Sequence, residues 1–219
     1  MSSSVAVVGG HGQIARLLHP LLVQAGRQPV ALVRSEPQRA ALEELGAEVR
    51  LLDLERAAAA DFADAFAGCD AVVFAAGGGG DGNAERKRTV DLGGSLKSVE
   101  GAQVAGVSRF VQISAINVDE PLADDTDPVW RAYVEAKRDA DEALRASSLD
   151  WTIIRPGRLT DEPATGRVSL GADVDRGDIP RADVAAVVAA VLDQESTTGK
   201  QWNLVGGDTS IADAISQAG

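Results

Sequence analysis

The chain has 219 residues, 45% hydrophobic and 25% charged, enough apolar material for one buried core and too much for a disordered chain. With 33 acidic against 21 basic residues the net charge is −12, which argues against nucleic acid or an anionic membrane surface as a partner. The single cysteine, Cys69, excludes an internal disulfide framework, no apolar run reaches the roughly 18 residues of a membrane span, and Met1-Ser-Ser-Ser lacks the basic segment of a leader, so a cytoplasmic setting is expected.

Residues 5–8 (VAVV) form a β-prone apolar run that leads into Gly9, Gly10, His11 and Gly12, and a helical pattern begins at Gln13. The spacing reads as Gly10-x-Gly12-x-x-Ala15 or as Gly9-x-x-Gly12-x-x-Ala15. Either fits the turn that brings backbone N–H groups and a helix N-terminus up to a pyrophosphate. His11 sits in the turn within reach of a phosphate, and His19 reads as structural.

Further strands are predicted at 29–33 (PVALV), 48–52 (EVRLL), 71–75 (AVVFA), 109–113 (RFVQI), 151–155 (WTIIR) and 202–205. Helices are predicted at 37–45, in the alanine-rich stretch to Phe66, and at 85–105, 128–147, 183–192 and 211–217. Glycines at 46, 68 and 106 close three of them. Asp127-Pro128 opens another as N-cap and first helical residue. Strand and helix alternate throughout, which predicts an α/β fold with a doubly wound parallel sheet of the Rossmann type. The whole chain, 1–219, reads as one domain, with 158–180 as a small cap over the substrate.

In such sheets ligands gather at the carboxyl ends of the strands. The second strand ends in Arg34. A planar guanidinium there suits a 2′-phosphate and argues for NADP in preference to NAD, whereas Glu36 weighs the other way. Asp53 can accept from an adenine amino group while Leu54 packs on the ring; the plainer role for Asp53 is a turn or cap. Ala75, Ala76 and Gly77 are small enough for a ribose to lie against the backbone, and the run through Gly80 also fits a mobile loop. The fifth strand ends in Ser114. Tyr133 and Lys137 follow four apart, on one helix face. A cation beside a phenol eases its deprotonation, so Tyr133 can hand on a proton, Lys137 can tune it while also binding the nicotinamide ribose, and Ser114 can bond a substrate carbonyl, which places all three beside the cofactor as well. The acidic cluster at 124, 125 and 127 reads as a solvated loop, not a metal site.

Taken together, GGHGQIA, LVR, LDL, FAAG, VDLGG, GVSRFVQISA, YVEAK, DWTIIRPG and RADVAAVVAAVL resemble the atypical short-chain dehydrogenase/reductase superfamily, in its compact NmrA-like and epimerase-like bacterial branch. The resemblance implies NADP bound across Gly9, Gly12, Gln13, Ile14, Arg34, Asp53, Leu54 and Ala75. It also implies Ser114, Tyr133 and Lys137 as a Ser–Tyr–Lys set and Pro156 over the nicotinamide. One departure is Asp91, in VDLGG, where relatives often carry Asn. The implied activity is hydride transfer between NADP and a small carbonyl substrate. The rival readings are an NADP-binding redox sensor, though such relatives often lack the Tyr–Lys pair, and an NAD-dependent epimerase.

Overall fold

The structure is a computed structural model that describes residues 3–80 and 82–219. Strand β1 (Ser4–Val8) is buried on both faces, as its unbroken apolar run requires. It pairs in parallel with β2 (Gln28–Val33) on one side and β4 (Ala71–Phe74) on the other. The sheet continues outward from β2 to β3 (Glu48–Leu51), and from β4 through β5 (Arg109–Ile113) and β6 (Asp150–Pro156) to β10 (Lys200–Gly206). The chain reverses its winding between β1 and β4. Val8 lies opposite Leu32 and Phe74, so the ends of β1, β2 and β4 form one rim.

Alternate residues of β1 feed two cores. Val5 and Val7 face α1 (Gln13–Gln24) and α7 (Arg181–Val191); Ala6 and Val8 face the side covered by α3 (Ala59–Ala65) and α5 (Gly93–Ala105), around Phe62, Phe66, Phe74 and Phe110. The remaining helices are α2 (Arg39–Glu43), α4 (Ala84–Arg86), α6 (Pro128–Arg145) and α8 (Ile211–Ala218). Among the described residues no helix is long and apolar enough to cross a membrane.

Two predicted features come out differently. The helix expected over 85–105 is interrupted: Lys87–Leu92 is a π-helical turn between α4 and α5. A widened turn re-aims the side chains it carries, and such turns gather at functional sites. The segment expected as a cap is also divided. Short β7 (Arg158–Thr160) and β9 (Asp178–Pro180) pair with each other outside the main sheet. Between them β8 (Arg167–Gly171) joins the main sheet antiparallel to β10, with β11 (Thr209–Ser210) at its edge. These strands are too short to show a period in sequence. Asp183, fully buried at the start of α7, holds the intervening loop by accepting from the Thr165 and Gly166 amides and the Thr165 hydroxyl.

Candidate dinucleotide groove and active site

The first turn is built of backbone. Gly9 has φ +79°, and a Cβ there would lie 2.7 Å from the Ala76 Cα. A Cβ on Gly10 would lie 2.7 Å from that of Ala31. The turn closes through Gly12 N to Gly9 O at 2.8 Å, and His19 braces it, donating from Nε2 to Gly10 O at 2.8 Å. Burial pushes the His19 imidazole below its ordinary value, which keeps it neutral for this work. Helix α1 then starts at Gly12 with no side-chain cap and no acidic residue in its first turn. Its positive end, at Gln13 and Ile14, therefore meets no capping side chain.

A cavity of about 300 Å³ lies along the rim, lined by the glycine turn and His11, by Arg34, by Asp53 and Leu54, and by 75–77. Arg34 is exposed and makes no ion pair or hydrogen bond among the described residues. Glu36 is turned to Arg39, which it grips through both oxygens at 2.6 and 3.2 Å. Asp53 accepts from the Glu55 amide at 3.1 Å, so it already serves as a turn residue. These features fit an anionic dinucleotide: a cradle that any Cβ would fill, an uncapped helix start, and an unpaired guanidinium in a chain with an acidic excess.

Ala75, Ala76 and Gly77 also line a second cavity, of about 1130 Å³, which runs under the cap. Gln13, Ile14, Ser114, Tyr133, Lys137 and Pro156 all face it, together with Leu159 of β7 and Arg181 of α7. The structure thus brings the two groups of expected residues into one groove.

Tyr133 and Lys137 sit one turn apart on α6, with the Lys137 Nζ 6.0 Å from the centre of the Tyr133 ring. Lys137 is buried, donates to Ile113 O at 3.2 Å and pairs with Asp91 at 3.3 Å. Burial alone would lower its ammonium, but the Asp91 carboxylate and the Tyr133 phenol more than offset this and hold it above the ordinary value. The net direction for Tyr133 departs from the simple sequence argument. Burial, helped by Asp91 and Asp141, raises the phenol above its ordinary value despite Lys137. The phenol holds its proton.

Ser114 is buried and donates to Asp141 Oδ2 at 2.7 Å. Asp141 also receives Gln112 Nε2 at 2.7 Å and Arg155 Nε at 2.8 Å. With two N–H groups aimed at it, its carboxylate form accepts the Ser114 proton, so that proton points into the core and not toward a substrate carbonyl. Burial still pushes Asp141 upward against Arg155, Ser114 and Gln112. Arg155 reaches on to Asp119 at 2.6 and 3.2 Å.

Sequence reasoning missed this network and Lys87, whose Nζ lies 5.6 Å from the Tyr133 ring centre and donates to Gly79 O. A signal for Asp141 exists: Tyr133, Lys137 and Asp141 recur every four residues along one face of α6. Cys69 is buried, its thiol pushed up by burial, and lines neither cavity. Among the described residues no cluster of His, Cys, Asp or Glu is arranged for a metal.

A switch-point glycine cradle opening into a cavity with a Tyr–Lys pair defines a nucleotide-binding α/β protein of the short-chain dehydrogenase/reductase kind. Residues 9–195 match the NAD(P)H-binding family, and the chain belongs to it. It is 41% identical to the uncharacterized sugar epimerase YhfK of Bacillus subtilis, over 96% of this chain and 98% of that one. A Bacillus halodurans protein described as an NAD-dependent epimerase/dehydratase superposes with a TM-score of 0.91 at 40% identity, covering 99% of this chain and all of that one. The oxidoreductase YlbE from Lactococcus lactis superposes at 0.85 with 26% identity, over 98% and 95% of the two chains. The chain is thus NAD(P)-binding and of an oxidoreductase- and epimerase-like family.

Proposed function

We propose that the protein is an NADP-dependent oxidoreductase acting on a small carbonyl substrate held between Tyr133 and the cap. The observation that carries this is the Tyr133–Lys137 pair in the cavity that shares Ala75, Ala76 and Gly77 with the glycine cradle. Bound NADPH supplies the hydride. Gly9 to Ile14 hold the pyrophosphate by backbone N–H groups, and Arg34 takes the 2′-phosphate as a charge-assisted contact. Tyr133, kept protonated by its burial, gives its proton to the substrate oxygen as the carbonyl carbon is reduced. Lys137 stabilises the phenolate left behind. Pro156 lines the wall of the same cavity.

The test is NADPH consumption against a panel of small aldehydes and ketones, with Tyr133→Phe as control. Loss of about 10²–10⁴-fold in kcat is expected for the variant, the usual contribution of a positioned proton donor. Turnover that survives the substitution removes Tyr133 from the reaction. Two of the relatives, described as a sugar epimerase and as an NAD-dependent epimerase/dehydratase, favour a second reading, an epimerase that keeps its nucleotide. That reading requires dinucleotide retained through purification and no net change in its redox state during turnover.

A further inference from the structure

Asp91 is a buried carboxylate that the hydride chemistry does not call for. It lies on the π-helical turn, 1% exposed, and both of its oxygens are engaged. Oδ2 accepts from the Gly78 amide at 2.8 Å, and Oδ1 lies 3.3 Å from the Lys137 Nζ. One side chain therefore ties the glycine loop at the edge of the nucleotide groove to the ammonium next to the phenol.

We propose that Asp91 is a positioning residue: it fixes the Lys137 ammonium between the glycine loop and Tyr133, and so sets how strongly that cation acts on the phenol. The physical argument is a competition between charges. A lone cation beside a buried phenol draws the proton off it; a carboxylate paired to that cation cancels much of the effect and repels the phenolate. The other groups facing Tyr133 do not change this. Lys87 lies over the ring face and donates to Gly79 O. Asp141, one turn beyond Lys137, is bound by Arg155, Gln112 and Ser114. Across the cavity, Arg158, Arg176 and Arg181 are paired with Asp178, Glu120 and Asp161. Burial and Asp91 act together to keep the phenol neutral.

This inference rests on Tyr133 as the proton donor, but its test does not need turnover. Tyr133 is the only tyrosine in the chain, so the near-ultraviolet absorbance of phenolate reports it alone. In the purified full-length protein, Tyr133 is expected to ionise only above the ordinary value of about 10. Asp91→Asn keeps an acceptor for Gly78 and removes the charge. The midpoint in that variant is expected to fall by roughly one pH unit or more, the usual size for a neighbouring charge. Lys137→Met is expected to move it the other way. A wild-type midpoint at or below the ordinary value overturns the proposal even if Asp91→Asn fails to fold. So does an Asp91→Asn midpoint that is unchanged or higher in a variant with wild-type circular dichroism. If the midpoint falls and no carbonyl is turned over, the electrostatic role stands and the oxidoreductase reading fails.

Discussion

The two halves of the groove are made of different material. The nucleotide half is made of backbone and missing side chains: Gly9 and Gly10 leave no room for a Cβ, and α1 begins uncapped. The half under the cap is made of buried charge: Lys137 against Asp91, and Asp141 against Arg155 and through it Asp119. The first recognises a shape and an anion that many ligands share. The second fixes protons and hydroxyl directions, which differ from one reaction to the next. On the proposed reading the contrast makes binding and chemistry separable, so substitutions in one half should leave the other standing.

Tyr133→Phe is the largest expected separation, removing turnover while leaving NADPH affinity within a few-fold. Next comes Asp141→Ala, which leaves the Arg155 Nε and the Ser114 and Gln112 donors without an acceptor in the core, with Arg155 still held by Asp119. Unpairing a buried ion pair of this kind costs about 3–5 kcal/mol, and chemical denaturation read by circular dichroism should show it. A loss under about 1 kcal/mol would mean that the network is solvated and that Ser114 is free to turn to the substrate.

Arg34→Ala acts on the other half. Loss of a charge-assisted contact to a 2′-phosphate is expected to weaken NADPH by about 1.5–3 kcal/mol while leaving NADH nearly unchanged. Equal loss for both nucleotides would take Arg34 out of cofactor selection. The smallest effect belongs to Asp119→Asn. Arg155 holds the Asp119 carboxyl below its ordinary value, but that side chain is 52% exposed, so solvent screening reduces the contribution to about 0–1 kcal/mol. A lowered carboxylate stabilises the fold above its unfolded value of about 3.9 and loses that contribution as the pH falls through the folded value. The difference between wild type and Asp119→Asn should therefore be present at neutral pH and vanish in strong acid. A difference that grew as the pH fell would reverse the assignment.

The same contrast explains what could be read in advance. The strands β1, β2 and β4 stood out because strands buried on both faces are continuous apolar runs. The glycine turn stood out because close backbone approach needs glycine at fixed spacing. The cap strands did not, since β7, β9 and β11 have two or three residues each and no measurable alternation. The Asp141 network joins residues 14, 27 and 29 positions apart, a separation that only the fold closes. Ser114 shows the limit most clearly. Its place at the end of β5 was legible, but the direction of its hydroxyl depends on a carboxylate two turns beyond Tyr133 on another element. The π-helical turn was hidden too, because VDLGG has ordinary helical spacing.

Calorimetric titration of the full-length protein with NADPH and with NADH addresses the nucleotide groove itself, on which both halves depend. One site per chain is expected, with NADPH binding at least about tenfold tighter than NADH, a gap of about 1.4 kcal/mol. No heat and no complex with either nucleotide would contradict the reading of the glycine turn, and tighter binding of NADH would contradict the role given to Arg34.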